Sequence, residues 1–266
     1  MDIEGVAGVT GAEHTRRDGG SDYERARRLM TAEASAAVAG AFDGGATAVV
    51  VCDSHGVARN LLAEDLDPRA RLIQGIKPWR MVQGLDPTFA AALFCGYHAR
   101  ASEPGVLSHT HMGRAVHRVW VNGREMGEAG LNGIYAGYHG VPVALVAGDD
   151  RACAEARDLF PGLVTAETKM AIGRYAADSL SPAQSCRVIR SAAAQAVQRA
   201  VSGAASPLRL DGEVEVRVEF HDAGHADAAS IMPGGERVDG VTLRYSAPDV
   251  LQAIRAFRTW LELARP

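Results

Sequence analysis

Side chains suited to metal-dependent hydrolysis stand at a few defined places in this sequence. The chain opens Met1-Asp2-Ile3-Glu4, which sets two carboxylates two residues apart. In an extended segment residues i and i+2 point to one side, so Asp2 and Glu4 would face a common site. His55 follows Asp53-Ser54 just after the apolar run TAVVVC, and His98 follows Gly96-Tyr97 just after AAALFC. Zinc takes imidazole nitrogen and carboxylate oxygen, and its catalytic sites keep one position for water. Carboxylate-rich sets can also bridge two metals. Asp2, Glu4, His55 and His98 therefore have the types a divalent-metal site needs, although each alone also fits an ordinary structural role. Glu128 stands at the start of a helix-like stretch, where a first-turn carboxylate also simply suits the helix dipole. His109 and His111 flank Thr110. In an extended segment both rings would turn the same way, and a polar loop beside a strand reads equally well.

Something must hold these residues together, and the apolar pattern shows what. Continuous runs at 47–52 (TAVVVC), 90–95 (AAALFC) and 141–147 (VPVALVA), with a weaker one at 71–74, suit strands covered on both faces. The segments 116–121 (VHRVWV) and 213–220 (EVEVRVEF) alternate instead, as half-exposed antiparallel strands do. Helical spacing appears over 23–43, 149–159, 182–202 and 248–264. Asp149 and Ser181 are suitable caps, with Pro182 at a first helical position. Strands alternating with helices give the α/β class. The expected architecture is a mixed, mostly parallel central sheet flanked by helices, with a smaller α+β C-terminal part. Gly203 to Pro207 is the one linker-like stretch, which divides the chain into a metal-binding catalytic part (1–203) and C-terminal strands and helix (204–266) packed with it. Ligands of such sheets bind at strand ends, where His55 and His98 fall.

Composition narrows the function classes. The 266 residues are 47% apolar and 23% charged, which excludes a disordered, collagen-like or coiled-coil chain. The net charge of −4 argues against phosphate-driven nucleic-acid binding. No apolar run reaches the roughly 18 residues of a membrane span, so no membrane partner is expected. The opening shows no basic-then-apolar leader. Cys52, Cys95, Cys153 and Cys186 form no CxxC pair, which argues against a four-cysteine zinc site or a disulfide framework. A cytoplasmic location with free thiols is the expectation.

Several short strings occur in a characteristic order: MDIEGVAG at the start, Asp53-Ser54-His55, GYHARA at 96–101, PGVLSH at 104–109, Gly127-Glu128 with Gly130-Leu131-Asn132, AGDD at 147–150, Glu219-Phe220 and Met232-Pro233-Gly234. The ordered set resembles the DppA-type D-aminopeptidase family, the M55 metallopeptidases, from residue 1 into the C-terminal third. The resemblance implies two zinc ions per subunit held by Asp2, Glu4, His55, His98 and Glu128, with Asp2 bridging. It implies an active-site role for His109, a homodecamer of two five-membered rings, and short peptides with an N-terminal D-residue, such as D-Ala-D-Ala, as substrates. A related metal-dependent amidase on the same scaffold is the alternative. D-stereochemistry itself is implied by the resemblance alone. The sequence departs from the family pattern in two places. Family members carry further strand residues before the Asp-x-Glu, so a start downstream of the natural one is an expectation. His111 stands where an apolar or small residue is expected, and could contact substrate or metal or stand beside the site facing solvent.

Overall fold

The computed structural model describes residues 1–265. Its first layer holds a two-stranded sheet, β1 (Val49–Cys52) with β2 (Ala70–Ile73), and a four-stranded sheet of β3 (Ala92–Tyr97), β6 (Val143–Asp149), β7 (Val164–Gly173) and β8 (Ala176–Ser179). β1 pairs with β2, and β3, β6 and β7 run in order, all parallel; β8 closes the edge antiparallel. Residues 1 and 2 fill the slot between the two groups. The Met1 amino nitrogen donates to the Cys52 carbonyl at 2.8 Å, Ser54 N–H to the Met1 carbonyl at 2.9 Å, and Asp2 N–H to the Cys95 carbonyl at 2.8 Å.

Alternation along these strands feeds two cores. Phe94 and Val146 point to one side, Cys95, Leu145 and Ala147 to the other, as a period of two demands; an irregularity between Cys95 and Tyr97 returns Tyr97 to the side of Phe94. The second side is covered by α1 (Ser21–Asp43) and α4 (Pro182–Val201). The first side carries α2 (Glu128–Tyr138), α3 (Asp150–Leu159) and a second, antiparallel sheet. Asp149 caps α3 by accepting from Ala152 N–H at 2.8 Å, and Ser181 caps α4 with Pro182 in its first turn.

The second sheet has the order β10 (Glu236–Arg237), β11 (Thr242–Ala247), β9 (Val214–Phe220), β4 (Val116–Val121), β5 (Arg124–Glu125). Its core strand reads VEVRVEF, with each valine and the phenylalanine buried in turn. Short α5 (Ala223–Ala229) and α6 (Val250–Leu263) pack on it. β4 and β5 lie in the middle of the chain, yet β4 pairs with β9 from Val116↔Phe220 to Val121↔Val216. The C-terminal strands therefore complete a sheet that the middle of the chain begins. β7 and β8 escape the apolar pattern, because TAETKMAIG mixes Thr, Glu and Lys into a half-covered strand.

Candidate metal centre

The residues singled out in the sequence converge at the C-terminal ends of β1 and β3. His55 and His98 follow those strands, as the topology requires. Asp2 lies between them, and Glu4 follows in a tight turn rather than a strand: Val6 N–H donates to the Ile3 carbonyl at 3.1 Å. Asp2 and Glu4 therefore do not alternate along one extended strand as their spacing suggests, yet both carboxylates reach the same site. What turns Glu4 back is close backbone packing. Gly5 N–H donates to the Gly96 carbonyl at 2.8 Å. A Cβ on Gly5 would stand 2.0 Å from the Tyr97 carbonyl oxygen, and one on Gly96, at φ +72°, 2.1 Å from that of Asp2. Only glycine allows this approach.

His55 Nδ1 lies 3.2 Å from Asp2 Oδ1 and 3.0 Å from Glu4 Oε2. His98 Nε2 lies 3.9 Å from Asp2 Oδ2 and 3.2 Å from Glu128 Oε1, and His109 Nε2 lies 3.6 Å from the same Glu128 oxygen. Donor atoms of Asp2, Glu4 and His98 fall within 4.8 Å of one another, as do those of His98, His109 and Glu128. His98 thus belongs to both groups, and its ring stacks on His109 at 4.2 Å. Asp2, Glu4, His98 and Glu128 are all buried.

Each histidine is oriented by a backbone carbonyl, which can only accept. His55 Nε2 donates to Thr15 O at 2.7 Å, His98 Nδ1 to Ala99 O at 2.9 Å, and His109 Nδ1 to Leu107 O at 3.0 Å. In every case the other ring nitrogen is turned to the carboxylates. This is the outer-shell device that fixes the tautomer of a metal-binding imidazole. Glu4 Oε2 and His98 Nε2 are buried without a hydrogen-bond partner. His55 Nδ1 is hydrogen-bonded to Asp2 Oδ1, whereas the contacts of Glu4 Oε2 and His98 Nε2 join atoms that face a shared centre rather than bond in line with one another. Buried, unpaired polar atoms are costly, and a bound cation would satisfy them. The residues fit a zinc centre of mixed nitrogen and oxygen donors.

Charge is crowded enough to move every group. Burial and the neighbouring Glu4 push the Asp2 carboxyl up to about 6. Burial alone would raise Glu4 too, but His55, His109 and His98 hold it well below the usual carboxylate range. Glu128 is likewise held low against its burial by His98, His111 and His109. Against the opposing effect of burial, Glu4 and Asp2 hold His55 well above its ordinary value, and Glu128 raises His98 to about 10. His109 moves the other way: burial and the charge on His98 lower it.

Three more residues complete the picture. His111 adopts φ +55° and uses its backbone, donating N–H to Glu128 Oε1 at 2.8 Å while its ring packs on Phe257 at 5.2 Å. Burial lowers its imidazole to about 4, so it is neutral near pH 7. Sequence reasoning missed the other two. Asp53 takes the backbone N–H groups of Asn60 and Leu61 at 2.6 and 2.8 Å, fixing the loop that carries His55. Lys169 on β7 is buried and donates to the carbonyls of Glu4, Val6 and Val9 at 2.5, 3.0 and 2.6 Å, tying down the turn that carries Glu4. Its one sequence signal is a lysine beside the inward-facing Ala166 and Thr168.

The centre forms the floor of a cavity of about 380 Å³, lined also by Trp79, Met81, Leu131, Tyr135 and the α6 residues Ile254, Phe257, Arg258 and Leu261. A family model described as Peptidase_M55, D-aminopeptidase, matches residues 1–259. The chain belongs to the M55 peptidase family. It is 45% identical to the D-aminopeptidase of Bacillus subtilis (strain 168), over 99% of this chain and 96% of that protein. A solved M55 structure, described as a Zn-dependent D-aminopeptidase DppA from Bacillus subtilis and a self-compartmentalizing protease, superposes with a TM-score of 0.94. It is 44% identical and covers 99% of this chain and 95% of its own. The M55 fold is therefore shared almost end to end, second sheet included.

Proposed function

We propose that this protein is a zinc-dependent aminopeptidase that removes N-terminal D-residues from short peptides of the D-Ala-D-Ala type. The convergence of Asp2, Glu4, His55 and Glu128 on the floor of one cavity, with His98 buried against them, carries this reading, and the likeness to the Bacillus D-aminopeptidase supplies the substrate class. In this reading Asp2, Glu4, His55, His98 and Glu128 would hold two zinc ions, with Asp2 as a ligand common to both.

When bound, zinc supplies a water-derived nucleophile at neutral pH and polarises the scissile carbonyl. The chain's own groups do the rest. Asp2, Glu4 and Glu128 would offset most of the metals' charge, so the floor suits the neutral α-amine of a peptide, whose lone pair can approach a cation, rather than its ammonium. Because Leu107 O takes the Nδ1 proton, His109 keeps a lone pair on Nε2 beside the reacting atoms. Its lowered pKa keeps it neutral near pH 7, so it acts first as a proton acceptor and, once protonated, as an acid toward the leaving amine. The apolar wall of Trp79, Leu131 and Phe257 excludes water around the reacting bond.

The relative's self-compartmentalizing character supports an assembly that encloses these sites, and a decamer is the form we propose. The four free cysteines support a reducing, cytoplasmic setting. The test is zinc content together with hydrolysis of D-Ala-D-Ala and L-Ala-L-Ala. Bound zinc with preference for the D-substrate is expected. Activity toward simple amides but neither dipeptide would favour the amidase alternative instead.

A further inference from the structure

Three arginines lining the cavity, Arg80, Arg258 and Arg265, have no part in the metal centre. α6 presents Ile254, Phe257, Arg258 and Leu261 to the cavity, a stripe at i, i+3, i+4 and i+7. An arginine in the middle of an apolar stripe needs a partner, since a buried guanidinium nitrogen left unpaired is costly. Arg258 Nη1 is buried with no hydrogen-bond partner. The nearby carboxylate, Glu262, is already taken. It pairs with Arg80, and with Arg265 at 2.8 Å, while Arg258 Nη2 stays 3.9 Å away. Arg80 and Arg265 also line the cavity. Three guanidinium groups thus share one carboxylate, which leaves cationic charge on this wall. The wall lies close to the centre: Phe257, next to Arg258, packs on the His111 ring at 5.2 Å, and the His111 N–H holds Glu128. The cavity therefore offers a metal-binding floor for the amine end of a peptide and a cationic wall for an anion.

We infer that Arg258 is a specificity-determining residue that binds the free C-terminal carboxylate of the substrate, selecting very short peptides with an unblocked C-terminus. A planar guanidinium and a carboxylate match in a two-bond fork. The inference rests on the aminopeptidase reading and deepens it. A peptide whose amine is held on the floor presents its carboxylate within reach only if it is short, because each added residue moves it about 3.8 Å further along the chain.

The test compares D-Ala-D-Ala with its C-terminal amide, which has the same scissile bond but no carboxylate. Wild-type protein loaded with zinc is expected to favour the free acid through a lower KM. Arg258→Gln is expected to raise KM for the free acid by about 10- to 100-fold, to leave kcat nearly unchanged, and to leave the amide unaffected. Arg258→Lys should recover part of the loss. Equal losses on both substrates would assign Arg258 a packing role and overturn the inference. So would a wild-type enzyme indifferent to amidation, a measurement that does not depend on any variant folding. If wild-type protein cleaves neither compound, the aminopeptidase reading itself fails, and that outcome is distinct from indifference.

Discussion

The end of the parallel sheet and the antiparallel sheet behind it bury side chains by opposite rules. Around β1 and β3 the buried groups are Asp2, Glu4, His98 and Glu128, crowded together with partnerless atoms between them. In β9 the buried groups are Val214, Val216, Val218 and Phe220, each in contact with its own core. The first region holds charge that burial alone disfavours. The second lowers the free energy of folding simply by taking apolar area out of water. The contrast teaches that the metal centre is tolerated by the fold rather than a source of its stability. The second sheet provides the stability and also mounts α6, the wall of the cavity.

The largest effect should separate the two regions cleanly. Asp2→Asn keeps an oxygen for Ile3 N–H, which Asp2 Oδ1 now accepts at 2.9 Å, but removes the charge at the middle of the centre. Zinc content and hydrolysis are both expected to be lost. The metal-free variant should unfold no earlier than metal-free wild type, because one of two adjacent buried carboxylates no longer ionises. Full zinc occupancy would show that Asp2 is not a bridging ligand. Earlier unfolding of the metal-free variant would show that the cluster does stabilise the chain.

Next in size is His109→Gln. As an acid–base group it should be worth about 10²- to 10⁴-fold in kcat, with zinc content unchanged. Loss of zinc in this variant would move His109 into the ligand set, beside His98 and Glu128, whose donor atoms lie within 4.8 Å of its own. Lys169→Met should follow. It leaves the carbonyls of Glu4, Val6 and Val9 without their donor, and outer-shell losses of this kind typically weaken metal binding by about 10- to 100-fold. Zinc competition against a chelator would measure it. Lys169 is also where the contrast between the regions blurs, since the same bonds serve the fold.

How much of this was legible in the sequence follows from the same contrast. The strands at Val49–Cys52, Ala92–Tyr97 and Val116–Val121 announce themselves because burial on one or both faces leaves a periodic apolar signature. His55 and His98 could be placed because they end such strands. Glu4 could be proposed but not correctly positioned, since its turn depends on the contact of Gly5 with β3, which is distant in sequence. Lys169 and Asp53 work through backbone groups brought from elsewhere, and hydrogen bonds of that kind have no local pattern. The pairing of β4 with β9 across about a hundred residues is invisible for the same reason: alternation marks a strand but not its neighbour.

The smallest effects test the apolar region from its own side. Val218 is fully buried in the central strand of the second sheet. Val218→Ala removes two methyl groups and leaves a small cavity, which should cost about 2 kcal/mol of stability in denaturant unfolding. Zinc per folded chain should stay the same, because no ligand touches that strand. Smaller still is Arg244→Ala, which breaks an exposed pair with Glu236 at 2.6 Å on the same sheet. Solvent and salt already screen that pair, so the unfolding midpoint should hold at both low and high ionic strength. A clear salt-dependent drop would mean that charge on the outer face of this sheet carries stability after all. The division between a charged working edge and an apolar supporting sheet would then need to be drawn less sharply.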